Sequence, residues 1–458
     1  MPLNIVILAA GQGKRMNSST PKVLHKLGGI AMLQRVVNTA SCLNPDGIHI
    51  IIGHGGDKVK EALPHLKVNW ILQDKQLGTG HAVLQALPHI PKDSLVLILS
   101  ADVPLIQAGT LEMLINLTKE DNKALALLLA TITDPTGLGR ITRNENNEVT
   151  AIVEEKDATE IQKQIKEIYS GICCTKAENL LKWLPKLTNS NAQKEYYLTE
   201  IIAHAIADKI AILSLEVNDH MEIFGVNDRL QLQLLERRWQ RKVASDLMLK
   251  GVTIADQKRI DIRGELHCGK DVFIDVNTIF SGNVVIGDGS IIGANCILNE
   301  VTIGANCEIH PNSLLDNCQI DNGGQVGPFA RLRPGTHLGV NSKIGNFVET
   351  KAAVFGENSK ASHLSYLGDV TIGNDVNIGA GTITCNYDGV NKHNTTIEDG
   401  AFIGSDTQLV APVTVGKNAT IGAGSTIRKN TPANELTLTV TTQKTIPGWK
   451  RPIKSAPK

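Results

Sequence analysis

The chain has 458 residues, which is too long for one hydrophobic core, so we expect two or three domains. Lysine and arginine together number 46, as do aspartate and glutamate, so the formal net charge is zero; this balance argues against nucleic acid or an acidic membrane as the main partner. The sequence has no apolar run of membrane-spanning length and no basic leader before its first strand, so we predict a cytoplasmic protein.

The first part of the chain alternates predicted strands and helices. Short apolar runs at 4–8, 48–52 and 95–99 are typical of buried parallel strands, whereas 32–40 and 80–87 have helical spacing. This order predicts an open, Rossmann-like α/β sheet, in which ligands bind at the carboxyl ends of the strands.

Several polar segments fall at those carboxyl ends. A loop with two glycines, Gly11 and Gly13, is followed by Lys14 and Arg15, which is typical of an anion site but equally of an ordinary glycine turn. Lys22 adds a cation, and 76–82 forms a second glycine loop that opens a helix. Asp102 follows the third strand, where a carboxylate either caps a helix or binds a hard cation.

The rest of the chain contains a segment with helical spacing and a long segment with a six-residue repeat. From Asp228 to about Lys250, apolar residues three or four apart predict a long amphipathic helix, which we interpret as a structural connector with a solvated basic face. From about Ile286 to Thr426, an aliphatic residue followed by Gly recurs in steps of six, which predicts a parallel β-helix. Cys296 and Cys307 fall at inward positions of this repeat, so we expect buried reduced thiols, and no Cys-x-x-Cys pair favours a zinc site.

The repeat is interrupted once, and this interruption predicts a site. The hexads stop after Ile378 and resume at Ile403, so a polar loop must leave the prism between them. His363 stands shortly before this break. A lone histidine is usually structural or solvated, but this one has Arg331, Arg333 and Lys351 on the preceding coils.

The first half of the chain contains the motifs LAAGQGKRM, PKVLH, QLGTGHA, ADVP, PTGLGRI, IVEEKDA and GVND. The second half contains GPFARLRPG, GNFVETK, KASHLSYLGD, GAGTITCNYDG, FIGSD and GWKRP. With these motifs, the chain resembles the bacterial family of bifunctional N-acetylglucosamine-1-phosphate uridyltransferases and glucosamine-1-phosphate N-acetyltransferases. The resemblance implies a nucleotidyltransferase domain at 1–229, a linker helix at 230–250 and a left-handed parallel β-helix acetyltransferase domain with a C-terminal tail at 251–458.

For the first domain, the resemblance implies uridylyl transfer from UTP to N-acetylglucosamine 1-phosphate with release of pyrophosphate. Asp102 and Asn227 are then expected to hold Mg²⁺, Lys22 to hold phosphate, and Gln73, Gly78 and Thr79 to read the uracil. Gly139, Glu154 and Tyr169 are expected at the sugar. The remaining expected contacts to nucleotide and phosphates are Leu8, Ala9, Ala10, Gly11, Lys14, Ser100 and Ala101.

For the second domain, the resemblance implies acetyl transfer from acetyl-CoA to glucosamine 1-phosphate with His363 as the base. The residues expected around the sugar phosphate are Arg333, Lys351, Tyr366, Asn377 and Lys392. Those expected on the acetyl-CoA side are Ala380, Asn386, Tyr387, Ser405 and Ala423. The family also implies a homotrimer with sites between neighbouring prisms.

The chain departs from the family pattern at four positions. Lys14 stands where Thr is usual, and Ala101 where Gly is usual. Tyr169 replaces an Asn expected to bond the sugar, which changes reach and shape. Val440 replaces an Arg expected at a CoA phosphate, for which the basic tail 449–451 is a candidate substitute, unless it is a solvated end.

Two alternatives to a bifunctional enzyme remain at this point. One is a single-activity sugar-1-phosphate nucleotidyltransferase whose β-helix only oligomerises or regulates. The other is a non-catalytic assembly factor. The Asp102 and Asn227 pair disfavours the second alternative, and His363 with Lys351 disfavours the first.

Overall fold

The computed structural model describes residues 1–53, 55–121, 124–440 and 442–452. The chain divides into two compact units, with the boundary between Arg241 and Lys242. The domain limits at residues 229 and 250 stay predictions.

The first unit is built on a mixed sheet. Leu3–Leu8 pairs in parallel with Gly47–Ile52 on one side and Leu95–Ser100 on the other, which confirms the three predicted strands. Glu167–Lys176 joins antiparallel beside Leu95–Ser100, so the sheet is not wholly parallel. In spatial order the main strands are Ile212–Glu216, Leu125–Thr131, Glu167–Lys176, Leu95–Ser100, Leu3–Leu8, Gly47–Ile52 and Asn69–Leu72. Gly139–Arg143 and Val149–Val153 extend it beside Glu167–Lys176, and Lys26–Leu27 pairs with Ile30–Ala31 as a separate hairpin.

Helices cover both faces of this sheet. Ile5 and Ile7 belong to one hydrophobic core and Val6 to the other, which explains why the strand is apolar without alternation. The predicted helices at 32–40 and 80–87 are present as Met32–Ser41 and Thr79–Ala86. The other α-helices before the long helix are Gly56–Ala62, Ala108–Glu120, Glu160–Lys163, Ala177–Trp183 and Ile201–Ala207.

The long helix runs from Arg229 to Leu249, as the spacing predicted. Its N-terminal half packs on the first unit, where the Arg35 guanidinium lies 4.0 Å from the Trp239 ring centroid. Glu236 accepts a hydrogen bond from the Gly28 backbone N–H at 2.6 Å. The Gly28 φ of +56° and its contact with Trp239 leave no room for a Cβ, because that atom would lie 2.4 Å from the indole nitrogen.

The second unit is a parallel β-helix, as the hexads predicted. Ile274, Ile292 and Ile309 align on successive coils, and each is almost fully buried. One ladder contains Thr253–Ile254, Phe273–Ile274, Ile291–Ile292, Glu308–Ile309, Gln325–Val326, Lys343–Asn346, Lys360–His363, Asn377–Ile378, Phe402–Ile403, Thr420–Ile421 and Leu436–Thr437. The other sheet contains Ile260–Cys268, Thr278–Ile286, Ile297–Ile303, Leu314–Ile320, Arg331–Leu332, Thr336–Leu338, Glu349–Phe355, Tyr366–Ile372, Ile383–Cys385, Thr395–Ile397, Gln408–Val410, Val413–Val415 and Thr426–Ile427.

Cys296 and Cys307 are free and buried in the prism, which confirms the prediction of buried reduced thiols. None of the helices in the described part of the chain is both long and apolar enough to cross a membrane.

Candidate functional sites

A groove of ≈ 610 Å³ opens at the carboxyl ends of Leu3–Leu8 and Leu95–Ser100. Twelve of the sixteen residues expected at the uridyltransferase site line it. These are Leu8, Ala9, Ala10, Gly11, Lys14, Lys22, Gln73, Gly78, Thr79, Ser100, Asp102 and Asn227. Ala101 lies beneath the floor, fully buried, with its N–H donating to the Leu8 carbonyl at 3.0 Å. The sheet edge therefore brings together segments that are far apart in the sequence.

One ammonium group joins the two expected metal ligands. Lys22 Nζ forms an ion pair with Asp102 Oδ2 and donates to Asn227 Oδ1 at 3.1 Å. Ser100 Oγ donates to the other oxygen of Asp102 at 2.6 Å. A carboxylate and an amide oxygen thus converge on one cation, and this donor set fits Mg²⁺. The described residues contain no cluster of three or more His, Cys, Asp or Glu that could hold a metal ion, so only these two protein ligands point to one.

The backbone around this cluster is held by close packing. Gly13 has φ +61°, and a Cβ there would lie 2.7 Å from Lys22 Cβ, so the first loop packs directly on the lysine. The Val226 N–H donates to the Asp102 carbonyl at 2.8 Å, which places Asn227 beside the carboxylate. Both glycine loops are also linked, because Gln12 donates to Gln76 at 2.7 Å.

The amide of Gln73 has a defined orientation. Its Nε2 donates to the Gly78 carbonyl at 3.1 Å and lies 2.9 Å from His81 Nδ1. Since a carbonyl only accepts, the nitrogen must face this way, and His81 Nδ1 is the acceptor. Both amide hydrogens are thereby used, so Gln73 Oε1 is left as an acceptor for an N–H group such as that of uracil.

This geometry predicts a pH dependence. Burial lowers the pKa of His81 below its usual 6.5, so the ring is neutral at neutral pH. Protonation at lower pH removes the acceptor at Nδ1 and repels the Gln73 amide. We expect kcat/KM for UTP to fall several-fold as the pH drops through the His81 pKa, measured by pyrophosphate release.

A variant separates this effect from titration of UTP itself. His81→Asn offers an oxygen that does not titrate in this range, so its profile should be flatter than that of the wild type. Identical profiles would contradict the role of His81, because protonation of the UTP phosphates affects both proteins equally.

The groove also contains residues that sequence reasoning missed. Gln193 and Glu195 line it, and they belong to a loop that packs on the second glycine loop. The Gly80 N–H donates to the Tyr196 carbonyl at 2.8 Å, and a Cβ on Gly78 would lie 2.6 Å from that same oxygen. A signal was present, because the chain has only five tyrosines and two of them are adjacent here, at 196 and 197.

The three residues expected at the sugar lie together, outside the residues that line the groove. Gly139 pairs with Tyr169 across neighbouring strands, and a Cβ on Gly139 would lie 3.7 Å from a Glu154 oxygen. Burial raises the pKa of Glu154, which also accepts from Thr199 Oγ1 at 3.3 Å. Tyr169 is buried in the core, and burial raises its pKa well above 10; its hydroxyl bonds to Cys173.

A second set of predicted residues comes together on the β-helix. Lys360 and Ala361 pair with Asn377 and Ile378, so His363 occupies the position equivalent to Ala380 on the next coil. The same register continues from Ala380 to Ser405 and then to Ala423. These four residues therefore form a column along one edge of the prism, at the strand spacing of about 4.8 Å.

A hydrogen bond sets the tautomer of His363. Its Nδ1 lies 2.8 Å from Asn346 Oδ1, and the ring is exposed. Because the amide oxygen only accepts, Nδ1 carries the proton and Nε2 is left with a lone pair. Sequence reasoning missed Asn346, which precedes His363 in the same column.

Three cations gather on the other sheet of the β-helix, where Lys351 pairs with Gly368, five residues after His363 in the chain. Lys351 contacts Lys392, and this hydrogen bond between two amines lowers the pKa of Lys351, with Arg333 adding further positive charge. Arg333 is partly neutralised by Glu349, at 2.9 Å. Like charges held this close favour an anion between them, and a phosphate monoester carries the required charge.

The remaining expected residues lie on the same coils. The Tyr366 hydroxyl lies over Gly368, where a Cβ would be only 2.5 Å from it. Asn386 donates to Asp369, and Tyr387 is exposed, with its hydroxyl donating to the Gly389 carbonyl at 2.5 Å. Val440 is 86% exposed, so it makes little contact with its own chain.

Known protein families match segments in both halves of the chain. Residues 5–150 match the MobA-like NTP transferase domain family. Residues 266–300 and 394–429 match the bacterial transferase hexapeptide family, and 299–327 match the hexapeptide repeat of succinyl-transferase. A solved nucleotidyl transferase from Methanothermobacter thermautotroptrophicus covers 53% of this chain and 99% of its own, but its TM-score of 0.37 and identity of 16% are too low to support an argument.

Full-length relatives are much closer in sequence. The bifunctional protein GlmU of Legionella pneumophila (strain Paris) is 65% identical, with 99% of each chain covered. That of Marinobacter nauticus is 53% identical over 99% of this chain and 100% of its own. With this identity over the full length, the chain belongs to the GlmU family of bifunctional transferases.

Proposed function

We propose that the two sites divide the two reactions of a bifunctional transferase between them. The β-helix acetylates glucosamine 1-phosphate, and the groove of the first unit then joins N-acetylglucosamine 1-phosphate to the uridylyl group of UTP. The product is UDP-N-acetylglucosamine. The observation that carries this proposal is the column of His363, Ala380, Ser405 and Ala423, since a β-helix that served only as a scaffold has no use for an exposed histidine whose free Nε2 is oriented by Asn346.

In the first reaction, His363 Nε2 takes a proton from the sugar amine. The amine nitrogen bonds to the thioester carbon, the carbon–sulfur bond breaks, and CoA leaves as a thiol once protonated. Arg333, Lys351 and Lys392 hold the phosphate, which fixes the amine near the base. Asn386 can donate a hydrogen bond to the developing oxyanion.

In the second reaction, a phosphate oxygen of the sugar bonds to the α-phosphorus of UTP, and the bond to pyrophosphate breaks. This chemistry needs positioning and neutralisation of charge rather than a protein nucleophile. Lys22, Lys14 and Arg15 supply positive charge around the phosphates. Gln73 Oε1 is the uracil acceptor, and Gly139 and Glu154 contact the amino sugar. The sugar contact expected of Tyr169 stays a prediction, because its hydroxyl bonds to Cys173 in the core.

Asp102 and Asn227 are proposed to hold Mg²⁺. A bound divalent cation neutralises charge on the phosphates during transfer. Lys22, which contacts both residues, is free to move to a phosphate oxygen when the cation takes its place.

We also propose that the chain forms a homotrimer. Phe329 and Phe347 stack at 5.4 Å on one corner of the prism, are at least half exposed, and have φ of 55° and 57°. Bulky side chains at positive φ are strained, so their display on a surface suits an interface. Light scattering of the purified protein gives the mass directly, and a stable monomer would refute this proposal. The cytoplasmic location stays a prediction.

A split assay of the wild-type protein tests the function. Acetylation of glucosamine 1-phosphate by acetyl-CoA is followed as free CoA thiol, and pyrophosphate release is followed separately with UTP, N-acetylglucosamine 1-phosphate and Mg²⁺. Both activities are expected. Pyrophosphate release without any acetylation would leave the single-activity nucleotidyltransferase as the function.

A further inference from the structure

The loop that interrupts the hexads is closed on itself. The His393 N–H donates to the Asn386 carbonyl at 2.8 Å, and Tyr387 forms an isolated antiparallel bridge with Lys392. The loop therefore leaves the prism and returns to it as a small hairpin.

Asp388 organises the interior of this hairpin. One carboxylate oxygen accepts from the backbone N–H groups of Val390 at 2.8 Å and Asn391 at 2.7 Å. The other lies 2.7 Å from His393 Nε2. The hydrogen bond to His393 is the first of the contacts that hold the pKa of Asp388 far below its usual value, so the carboxylate is ionised. The two side chains thus fasten the end of the loop to its tip.

The hairpin carries residues for both substrates of the acetyl transfer. Asn386 and Tyr387 stand on the proposed acetyl-CoA side, whereas Lys392 contacts Lys351 at the proposed phosphate site. Neither Asp388 nor His393 belongs to either group. The conformation of this one hairpin therefore determines the positions of residues proposed to contact each of the two substrates.

The exposure of the pair decides what it can do. The side chains of His393 and Asp388 are 33% and 45% exposed. A pair this accessible to water contributes little to the stability of a large domain. It is nevertheless sufficient to bias a short hairpin between closed and open shapes, because the population shifts with small differences in free energy.

We propose that His393 and Asp388 are positioning residues whose contact, the hairpin latch, holds the 386–393 hairpin closed, so that acetyl-CoA and glucosamine 1-phosphate both meet contacts that are already formed. This proposal rests on the proposed function of the β-helix. Without the latch, a ligand must also close the hairpin when it binds, so each ligand binds more weakly on its own. The second ligand then binds more tightly once the first has closed the hairpin.

The test compares three variants with the wild type. His393→Ala removes the latch, and His393→Gln keeps a donor that can reach Asp388. His337→Ala is the matched control, because His337 pairs with Asp321 at 2.9 Å on the same β-helix but outside the hairpin. For His393→Ala we expect KM to rise about 5- to 10-fold for both substrates, a typical size for coupling between sites. His393→Gln should recover most of this loss, and His337→Ala should match the wild type.

Calorimetry then measures the coupling itself. CoA is titrated into each protein with and without N-acetylglucosamine 1-phosphate. In the wild type and in His337→Ala, the sugar phosphate should leave CoA binding nearly unchanged, because the hairpin is already closed. In His393→Ala the sugar phosphate should tighten CoA binding about 5-fold, because it closes the hairpin before CoA binds. Uridylyl transfer in the same sample reports the concentration of active chains, because that site lies in the other unit and the substitution does not touch it.

The outcomes distinguish a failure of the proposed latch from a failure of the proposed acetyltransferase function. Acetylation by the wild type with unchanged KM values and unchanged coupling in His393→Ala would refute the latch and leave the proposed function intact. A rise in KM for the sugar phosphate alone would also refute it, because that result reports only the neighbouring Lys392. A wild type that does not acetylate would remove both proposals.

Discussion

Replacement of His363 by alanine should lower the rate of acetyl transfer by about 10²–10⁴-fold, the usual contribution of a general base. Asn346 fixes the proton on Nδ1, so Nε2 is available to accept one from the sugar amine. Alanine cannot accept that proton, so a water molecule must accept it from the amine, and the reaction is slower. Pyrophosphate release should be unchanged, because the described residues that line the uridyltransferase groove all lie between Leu8 and Asn227, outside the β-helix.

Because one chain carries both activities, uridylyl transfer serves as the internal control for acetylation. Acetylation is measured as free thiol and uridylyl transfer as pyrophosphate, in the same preparation. His267→Ala is the matched variant, since His267 is also exposed on the β-helix and pairs with Glu265 at 3.3 Å. Loss of both activities in His363→Ala would indicate misfolding, and retention of acetylation would refute the assignment of the base. Asn346→Ala should show a smaller loss, because it changes the orientation of the base but leaves it in place.

The fold was largely predictable because its signals are periodic. The hexads are repeated many times, and each aliphatic residue is buried for the same reason, so the β-helix follows from the sequence. The antiparallel strand Glu167–Lys176 did not follow, because its apolar residues read like those of its parallel neighbours. Pairing direction depends on the connection between strands rather than on the side chains of one strand.

The sites were predictable where function leaves a local motif. Lys22, Asp102 and Asn227 each stand in a short motif, and the fold brings them within contact. Gln193 and Glu195 are placed by tertiary packing, and only the adjacent Tyr196 and Tyr197 mark their loop in the sequence. Nothing in the residues next to Asn346 marks a ligand site. The hairpin latch is a similar case, because Asp388 and His393 gain meaning only when the loop closes between them.

Replacement of Asp102 by asparagine should lower pyrophosphate release by about 10²–10³-fold, which is typical when one charge-stabilising group is removed from an active site. Asparagine has nearly the same shape, but it has no charge to offer Lys22 or a divalent cation. Ser100 and Val226 contact Asp102 through hydrogen bonds that the change can largely preserve, so the fold should persist. The Mg²⁺ concentration for half-maximal rate should also rise.

Acetyl transfer again serves as the internal reference and should not change. Asp93→Asn is the matched control, because Asp93 is exposed just before the start of Leu95–Ser100, the strand whose other end leads to Asp102. If Asp102→Asn reduced the rate without any change in Mg²⁺ dependence, the residue would act only by holding Lys22. A shift in Mg²⁺ dependence that also occurs in Asn227→Ala but not in Lys22→Ala would assign the cation to the two oxygen ligands, because only those two residues would then share the effect.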